Sequence, residues 1–158
     1  MPEMSLADQQ AALVAALAAE GPLPAGFDPA RLRAAAAALA FKRARAVAHA
    51  WPSLRAMLGG DVRETFAAYA AVAPLPARGG PLADGRRFAR FIARQLDLSD
   101  AARMQALSID ARYRETAAGL VRRRVPTLRA TWLRNRRSVM IAVGEHRYRL
   151  QWPLRLGR

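Results

Sequence analysis

The 158-residue sequence contains no cysteine and only two histidines, His49 and His146. The absence of cysteine excludes disulfide bonds, thiol catalysis and thiolate metal ligands. The two histidines are far apart, and neither lies in an H-E-x-x-H spacing, which would place two ligands on one face of a helix. We therefore expect no catalytic residues, no bound metal and no cofactor.

Lysine and long apolar runs are also scarce. Of the 26 basic residues only Lys42 is a lysine, and the longest apolar run covers residues 11–19. That run is far shorter than the roughly 20 residues that a membrane-spanning helix needs. The N-terminus carries Glu3 and Asp8 in place of the basic segment of a signal peptide. The sequence therefore predicts a cytoplasmic protein without a membrane partner.

Acidic residues are nearly missing from the last third of the chain. Residues 112–158 contain 13 arginines but only Glu115 and Glu145, whereas residues 1–111 contain 13 basic and ten acidic residues. Because clustered guanidinium groups attract anionic surfaces and pair with carboxylates and phosphates, this asymmetry indicates a binding function. Most other carboxylates are spread singly at predicted helix caps, so they do not indicate acid–base chemistry.

Capping residues, prolines and apolar spacing predict about six helices. Asp28, Asp61 and Ser99 are typical N-caps, since their side-chain oxygens accept hydrogen bonds from the free amides of a first turn. The predicted helices run from Leu6 to Ala19, from Pro29 to about Ala50, from Pro52 to Leu58, from the Asp61 and Glu64 capping box to before Pro74, around Phe88, Phe91 and Ile92, and from Ser99 to about Ala118. Trp51 is expected to be a packing residue at the junction before Pro52.

After Pro126 the apolar period changes from about 3.6 to 2, which is typical of strands. Three alternating sets predict three strands: Leu128, Ala130 and Trp132, then Val139, Ile141 and Val143, then Tyr148, Leu150 and Trp152. Turns are expected at residues 135–136 and 144–145, which gives an antiparallel meander packed on the last helix. The predicted fold class is α+β, with a helical bundle over residues 1–98 and a basic helix and meander over residues 99–158.

The candidate binding residues lie in this basic segment, and seven arginines within 16 residues accompany two aromatic rings. They are Arg122, Arg123, Arg124, Arg129, Arg134, Arg136 and Arg137, together with Trp132 and Tyr148. Such a mixture can hold nucleic acid through phosphate pairing and stacking, or an acidic peptide along a strand edge. A solvated basic face is the third alternative. In the helix from Pro29, the cations Arg31, Lys42, Arg43 and Arg45 indicate a solvent-facing side.

The stretch from Phe41 to Ile92 resembles the N-terminal domain of the HvfC/BufC family, which was once labelled DNA-binding. The residues that carry the resemblance are Lys42-Arg43, Trp51-Pro52-Ser53-Leu54, Met57-Leu58-Gly59, Phe66, Tyr69, Pro74, Leu82, Asp84-Gly85, Phe88 and Phe91-Ile92. Phe41-Lys42 stands where Tyr-Arg is usual, and Trp51 replaces a common Phe. The stretches 111–114, 122–126 and 152–158 resemble the second domain of actinobacterial proteins of this group.

The resemblance implies a role as a partner protein. Proteins of the HvfC/BufC type accompany multinuclear non-heme iron-dependent oxidases, which modify ribosomally made precursor peptides. The expected function is a non-catalytic accessory subunit that docks on such an oxidase and presents the precursor. DNA binding through the basic C-terminal region is the alternative, and a purely structural interaction module is a third reading.

Overall fold

The structure is a computed structural model, and it describes residue 5 and residues 28–134, 136–143 and 146–153. The fold is α+β, as predicted. In these ranges the elements are α1 (Pro29–Ala50), α2 (Pro52–Leu58), a 3-10 turn (Gly59–Asp61), α3 (Val62–Ala70), α4 (Gly80–Ile92), α5 (Asp100–Arg112), β1 (Tyr113–Thr116), β2 (Gly119–Arg122), β3 (Thr127–Trp132), β4 (Arg136–Val143) and β5 (His146–Pro153). The helix predicted from Leu6 to Ala19 lies outside the described residues.

Contacts between Cα atoms divide the chain into two units. The first comprises residues 1–46 and 60–75, and the second comprises residues 47–59 and 76–158. The division into segments 1–98 and 99–158 stays a prediction from the sequence. Among the described helices, none combines the length and the apolar character that crossing a bilayer requires.

Two of the three predicted N-caps are confirmed. The Ala30 amide donates to Asp28 Oδ1 at 2.9 Å, and the Ala102 amide donates to Ser99 Oγ at 3.2 Å. The prediction for Asp61 is wrong, because Asp61 itself has helical angles of φ −79° and ψ −5° and its side chain makes no capping hydrogen bond. The 3-10 turn before α3 winds Asp61 into the helix, whereas a capping carboxylate needs an extended backbone.

In the first unit a buried arginine joins α1 to the loop after α3. The side chain of Arg43 donates from Nη2 to the Ala73 carbonyl at 3.1 Å. Its guanidinium carbon lies 5.6 Å from the ring centre of Phe66 and 5.7 Å from that of Tyr69. Arg43 is only 7% exposed, so its assignment to a solvent-facing side is wrong. A guanidinium tolerates this burial because it is weakly hydrated and pairs with ring faces.

In the second unit Trp51 is fully buried, which confirms its predicted packing role. Its indole nitrogen donates to the Leu82 carbonyl at 3.2 Å. Gly85 of α4 lies directly beneath the ring, where no side chain would fit. Gln105 of α5 donates to the Ala50 carbonyl at 2.9 Å and thereby ties the end of α1 to α5.

A β-hairpin replaces the end of the helix predicted to reach Ala118. The helix α5 ends at Arg112, and β1 and β2 follow as an antiparallel pair. Gly119 has a φ of 128°, and a Cβ there would lie 2.9 Å from the carbonyl carbon of Arg78. The Arg78 amide donates to the Ala118 carbonyl at 2.7 Å, and the Leu120 amide donates to the Arg78 carbonyl at 3.2 Å. This contact with a residue 40 positions away overrides the helix propensity of the alanines.

The predicted three-stranded meander is confirmed, with antiparallel strands in the order β3-β4-β5. Trp132 pairs with Arg137 and Val143 pairs with His146, so the connections fall near the predicted turns. Arg136 is an exception, because it begins β4 where a turn was predicted. The sheet packs on α5, which confirms the predicted backing by the last helix.

Candidate interaction surface

The three-stranded sheet has two faces with different surroundings. In an antiparallel ladder, paired residues project to the same face, and neighbours along a strand project to opposite faces. Met140 of β4 is paired with Arg129 and Arg149. Met140 also belongs to a buried cluster with Leu107 and Ala111 of α5. This row therefore belongs to the face that packs on the helix, which we call the helix-side face.

The opposite face is apolar and exposed, and we call it the outer face. Three of its rows cross all three strands: Leu128, Ile141 and Tyr148; Ala130, Val139 and Leu150; and Trp132, Arg137 and Trp152. Leu128 is 66% exposed, Tyr148 59% and Leu150 55%. Monomeric proteins seldom leave large contiguous apolar patches in water, and such patches mark interaction sites. The outer face is therefore the strongest candidate for a binding surface among the described residues.

Arg137 is the only arginine on the outer face among the described side chains. Its guanidinium carbon lies 3.8 Å from the ring centre of Trp132, and Trp152 is its cross-strand partner on the other side. A cation held over an indole in this way is stabilised by about 0.5–1 kcal/mol at an exposed site. Within the described part of the chain, Arg137 forms no ion pair with a carboxylate.

A second basic feature, which we call the arginine pocket, lies at the β1–β2 hairpin. This cavity of about 390 Å³ is lined by Arg114, Val121, Arg122, Arg123, Arg124 and Val125. Arg123 donates from Nε to the carbonyls of Asp110 and Tyr113, both at 3.1 Å. Burial lowers the pKa of Arg123, and the positive charge of Arg129 lowers it further. The pocket therefore combines a structural arginine with a positive potential that suits an anion.

Further arginines form ion pairs that hold the second unit together. Arg86 of α4 donates to both carboxylate oxygens of Asp110, from Nε at 2.8 Å and from Nη2 at 2.7 Å. This bidentate hydrogen bond is the main reason that the pKa of Arg86 is raised. Arg90 pairs with Glu115 of β1. These arginines are committed to packing α4 on α5 and the hairpin.

The structure divides the nine predicted site residues among several places. Trp132, Arg137 and Tyr148 share the outer face, whereas Arg129 lies on the helix-side face. The arginine pocket is lined by Arg122, Arg123 and Arg124. Arg134 is exposed after β3, and its backbone amide donates to Asp100 Oδ1 at 3.1 Å. The backbone of Arg136 begins β4. Their role in binding stays a prediction, but they do not form one surface.

The apolar members of the outer face are not among the binding residues that the sequence predicts. In the sequence Leu128, Val139, Ile141, Leu150 and Trp152 indicate only strands. The available signal was the period of two itself, because both faces of the meander cannot pack on one helix. A strand pattern that is apolar on the face away from its helix predicts a binding surface.

These elements define a small α+β protein whose sheet has one face on a helix and one apolar face in solvent. Residues 7–94 match the family described as SCO6045-like, C-terminal domain, and the chain belongs to this family. The matched segment ends before α5 and the strands, so the outer face lies beyond it. No solved structure matches the chain significantly.

One similar protein is the UPF0276 protein of Streptomyces avermitilis. It is 44% identical over 87 residues, which are 55% of this chain and 18% of that protein. The chain therefore spans less than a fifth of the length of this relative. Within the described residues, no group of three or more His, Asp or Glu side chains is placed to hold a metal ion. The expected absence of a metal stays a prediction.

Proposed function

We propose that this chain is a non-catalytic partner subunit, which binds a multinuclear non-heme iron-dependent oxidase and presents its ribosomally made precursor peptide. The resemblance of residues 41–92 to the HvfC/BufC family suggests the kind of partner. The exposed outer face is the main observation in support of the proposal, since a large apolar surface is stabilised when a partner protein covers it. Neither feature requires chemistry from the chain itself.

The energetics of the outer face support a protein partner. Burying one large apolar side chain yields about 1.5–3 kcal/mol relative to leaving it in water. Leu128, Tyr148 and Leu150 are each more than half exposed. A partner that covers them recovers this free energy and uses it to offset the entropy lost on association.

The Streptomyces avermitilis relative also supports a partnership. Its matched segment makes up only 18% of its length. A segment similar to 87 residues of this chain is thus covalently joined there to a much longer polypeptide. We infer that the present chain also acts beside a larger polypeptide.

DNA binding remains the second candidate, and the arginine pocket favours it. Three of the four arginines in that pocket, Arg114, Arg122 and Arg124, are exposed. Phosphate groups pair readily with such side chains. The apolar outer face, however, has no use in binding a duplex through its phosphates, so we place DNA second.

The test is a titration of the purified chain against a multinuclear non-heme iron-dependent oxidase from the same organism, with and without its precursor peptide. We expect binding to the oxidase, and precursor turnover that depends on the chain. A precursor with a scrambled sequence is the control. Duplex DNA is titrated in parallel at low and high salt. Tight, strongly salt-dependent binding to DNA, with no binding to the oxidase or precursor, would favour the second candidate.

A further inference from the structure

The row formed by Trp132, Arg137 and Trp152 has the composition of an interface hot spot. Tryptophan and arginine are the residue types that most often dominate binding energy. Trp132 is 56% exposed and Trp152 is 43% exposed, so neither ring is buried in the core. The row lies on the outer face beside the aliphatic side chains of Val139 and Leu150.

The position of Arg137 indicates what this row would bind. Its guanidinium carbon lies 3.8 Å from the centre of the Trp132 ring, so the ring restrains the position of the group. Contact with a ring does not itself occupy the N–H groups of an arginine, and a carboxylate accepts two parallel hydrogen bonds from them. The paired arginines of the second unit show the contrast, because Arg86 already holds Asp110 in this way.

We propose that the outer face docks a partner protein surface in which apolar side chains surround a carboxylate, and that this carboxylate pairs with Arg137 between Trp132 and Trp152. The inference rests on the proposed function, because it names the surface through which the chain binds its protein partner. The aliphatic side chains around the row exclude water from the ion pair, and exclusion of water strengthens it.

Charge argues against a second copy of this chain as the occupant. The chain carries a net charge of +14, and residues 112–158 contain only two acids. One of them, Glu115, is already paired with Arg90. Glu145 is therefore the one carboxylate of this segment that a second copy could offer, and two such basic surfaces repel each other.

Nucleic acid fits the outer face less well than an acidic apolar protein surface. Arg137 is the only described arginine on this face, so a bound strand would find a single phosphate contact there. Single-stranded nucleic acid is usually held by a basic groove together with stacked aromatic rings. Leu128, Ile141 and Leu150 offer neither charge nor a ring.

The experiment compares Arg137→Ala, Arg137→Lys and a matched control, Arg149→Ala. Arg149 is exposed and lies in the adjacent strand on the helix-side face, so its loss removes the same charge from the opposite side of the sheet. In titrations against a multinuclear non-heme iron-dependent oxidase from the same organism with its precursor, Arg137→Ala should weaken binding by about 30-fold or more. Arg137→Lys should restore little, because an ammonium lacks the planar fork. Arg149→Ala should change binding by less than about threefold. Circular dichroism and melting curves confirm that each variant folds.

The outcomes separate this inference from the proposed function. If the oxidase binds but Arg137→Ala and Arg149→Ala weaken binding equally, the function stands and the docking surface is wrong. If the oxidase does not bind, the function fails, and a synthetic peptide in which leucine alternates with glutamate becomes the probe, with a leucine–lysine peptide as its control. Binding only to the acidic peptide, and only with Arg137 intact, supports the surface. No such dependence, or Arg137-dependent binding to single-stranded DNA, overturns it.

Discussion

Replacing Gly85 with alanine tests the packing at the junction of α1 and α2. A Cβ at Gly85 would overlap the indole of Trp51 and lie 2.8 Å from its Cγ. Forcing a methyl group into a packed core costs about 1–3 kcal/mol. Displacing the ring would also break the hydrogen bond from Trp51 to Leu82, which is worth about 1 kcal/mol. Alanine returns about 1 kcal/mol through its higher helix propensity. The net expectation is a loss of about 2 kcal/mol.

The assay is thermal unfolding followed by circular dichroism. For a chain of this size, a loss of 1 kcal/mol lowers the melting temperature by about 2–4 °C, so Gly85→Ala should lower it by about 4–8 °C. Gly60→Ala is the matched control, because no heavy atom lies within 4 Å of a Cβ at that position. It should change the melting temperature little. A Gly85→Ala protein that melts at or above the wild-type temperature would refute the reasoning.

A double-mutant cycle identifies the indole as the cause. Trp51→Ala alone should destabilise the protein by about 3–5 kcal/mol, in line with other buried aromatic truncations. In that background the ring is gone, so Gly85→Ala should become neutral or stabilising. Additive effects of the two substitutions would mean that the methyl group meets something other than Trp51.

Three further substitutions follow from the hydrogen bonds and backbone angles. Gly119→Ala should destabilise the protein by about 2 kcal/mol or more, because φ is positive there and a Cβ would meet the Arg78 backbone; chemical denaturation measures this loss. Arg43→Leu should cost about 2 kcal/mol by leaving the Ala73 carbonyl without its donor, and an unchanged midpoint in urea would contradict that role. Ser99→Ala should cost about 1 kcal/mol through loss of the α5 cap, with Ser99→Asp as the conservative control that retains most stability.

Local chemistry predicted most helix starts because proline and capping side chains act within one turn. Pro29 and Pro52 each begin a helix where the sequence places them, and Ser99 caps α5. Tertiary contacts decided the rest. The alanines before Gly119 predict a helix to about Ala118, whereas the structure there is determined by Arg78, which is distant in sequence. No window of the sequence around Gly119 contains that information.

The sequence predicts that the candidate binding site lies on the strands, but it does not predict which side chains share the outer face. The period of two placed Trp132, Arg137 and Tyr148 on strands, and the register puts them on one face. Counting arginines also brought in Arg129, which projects to the other face, because a charge count ignores the alternation of side chains along a strand. The register of the pairing, rather than the density of charge, determines which residues can contact one partner.

The arginines of this chain therefore differ by what the backbone places beside them. Arg123 meets two carbonyls and Arg86 meets a carboxylate, so each is used to hold α5 to its neighbours. Arg137 meets an aromatic ring, which orients its guanidinium without satisfying the hydrogen-bonding edge. A paired arginine gains little from a partner, since binding would only exchange one anion for another. Arg137 has no ion pair within the described residues, so it would gain one among apolar side chains when a partner covers the outer face. The strength of binding by this chain should therefore depend on Arg137 far more than on its net charge.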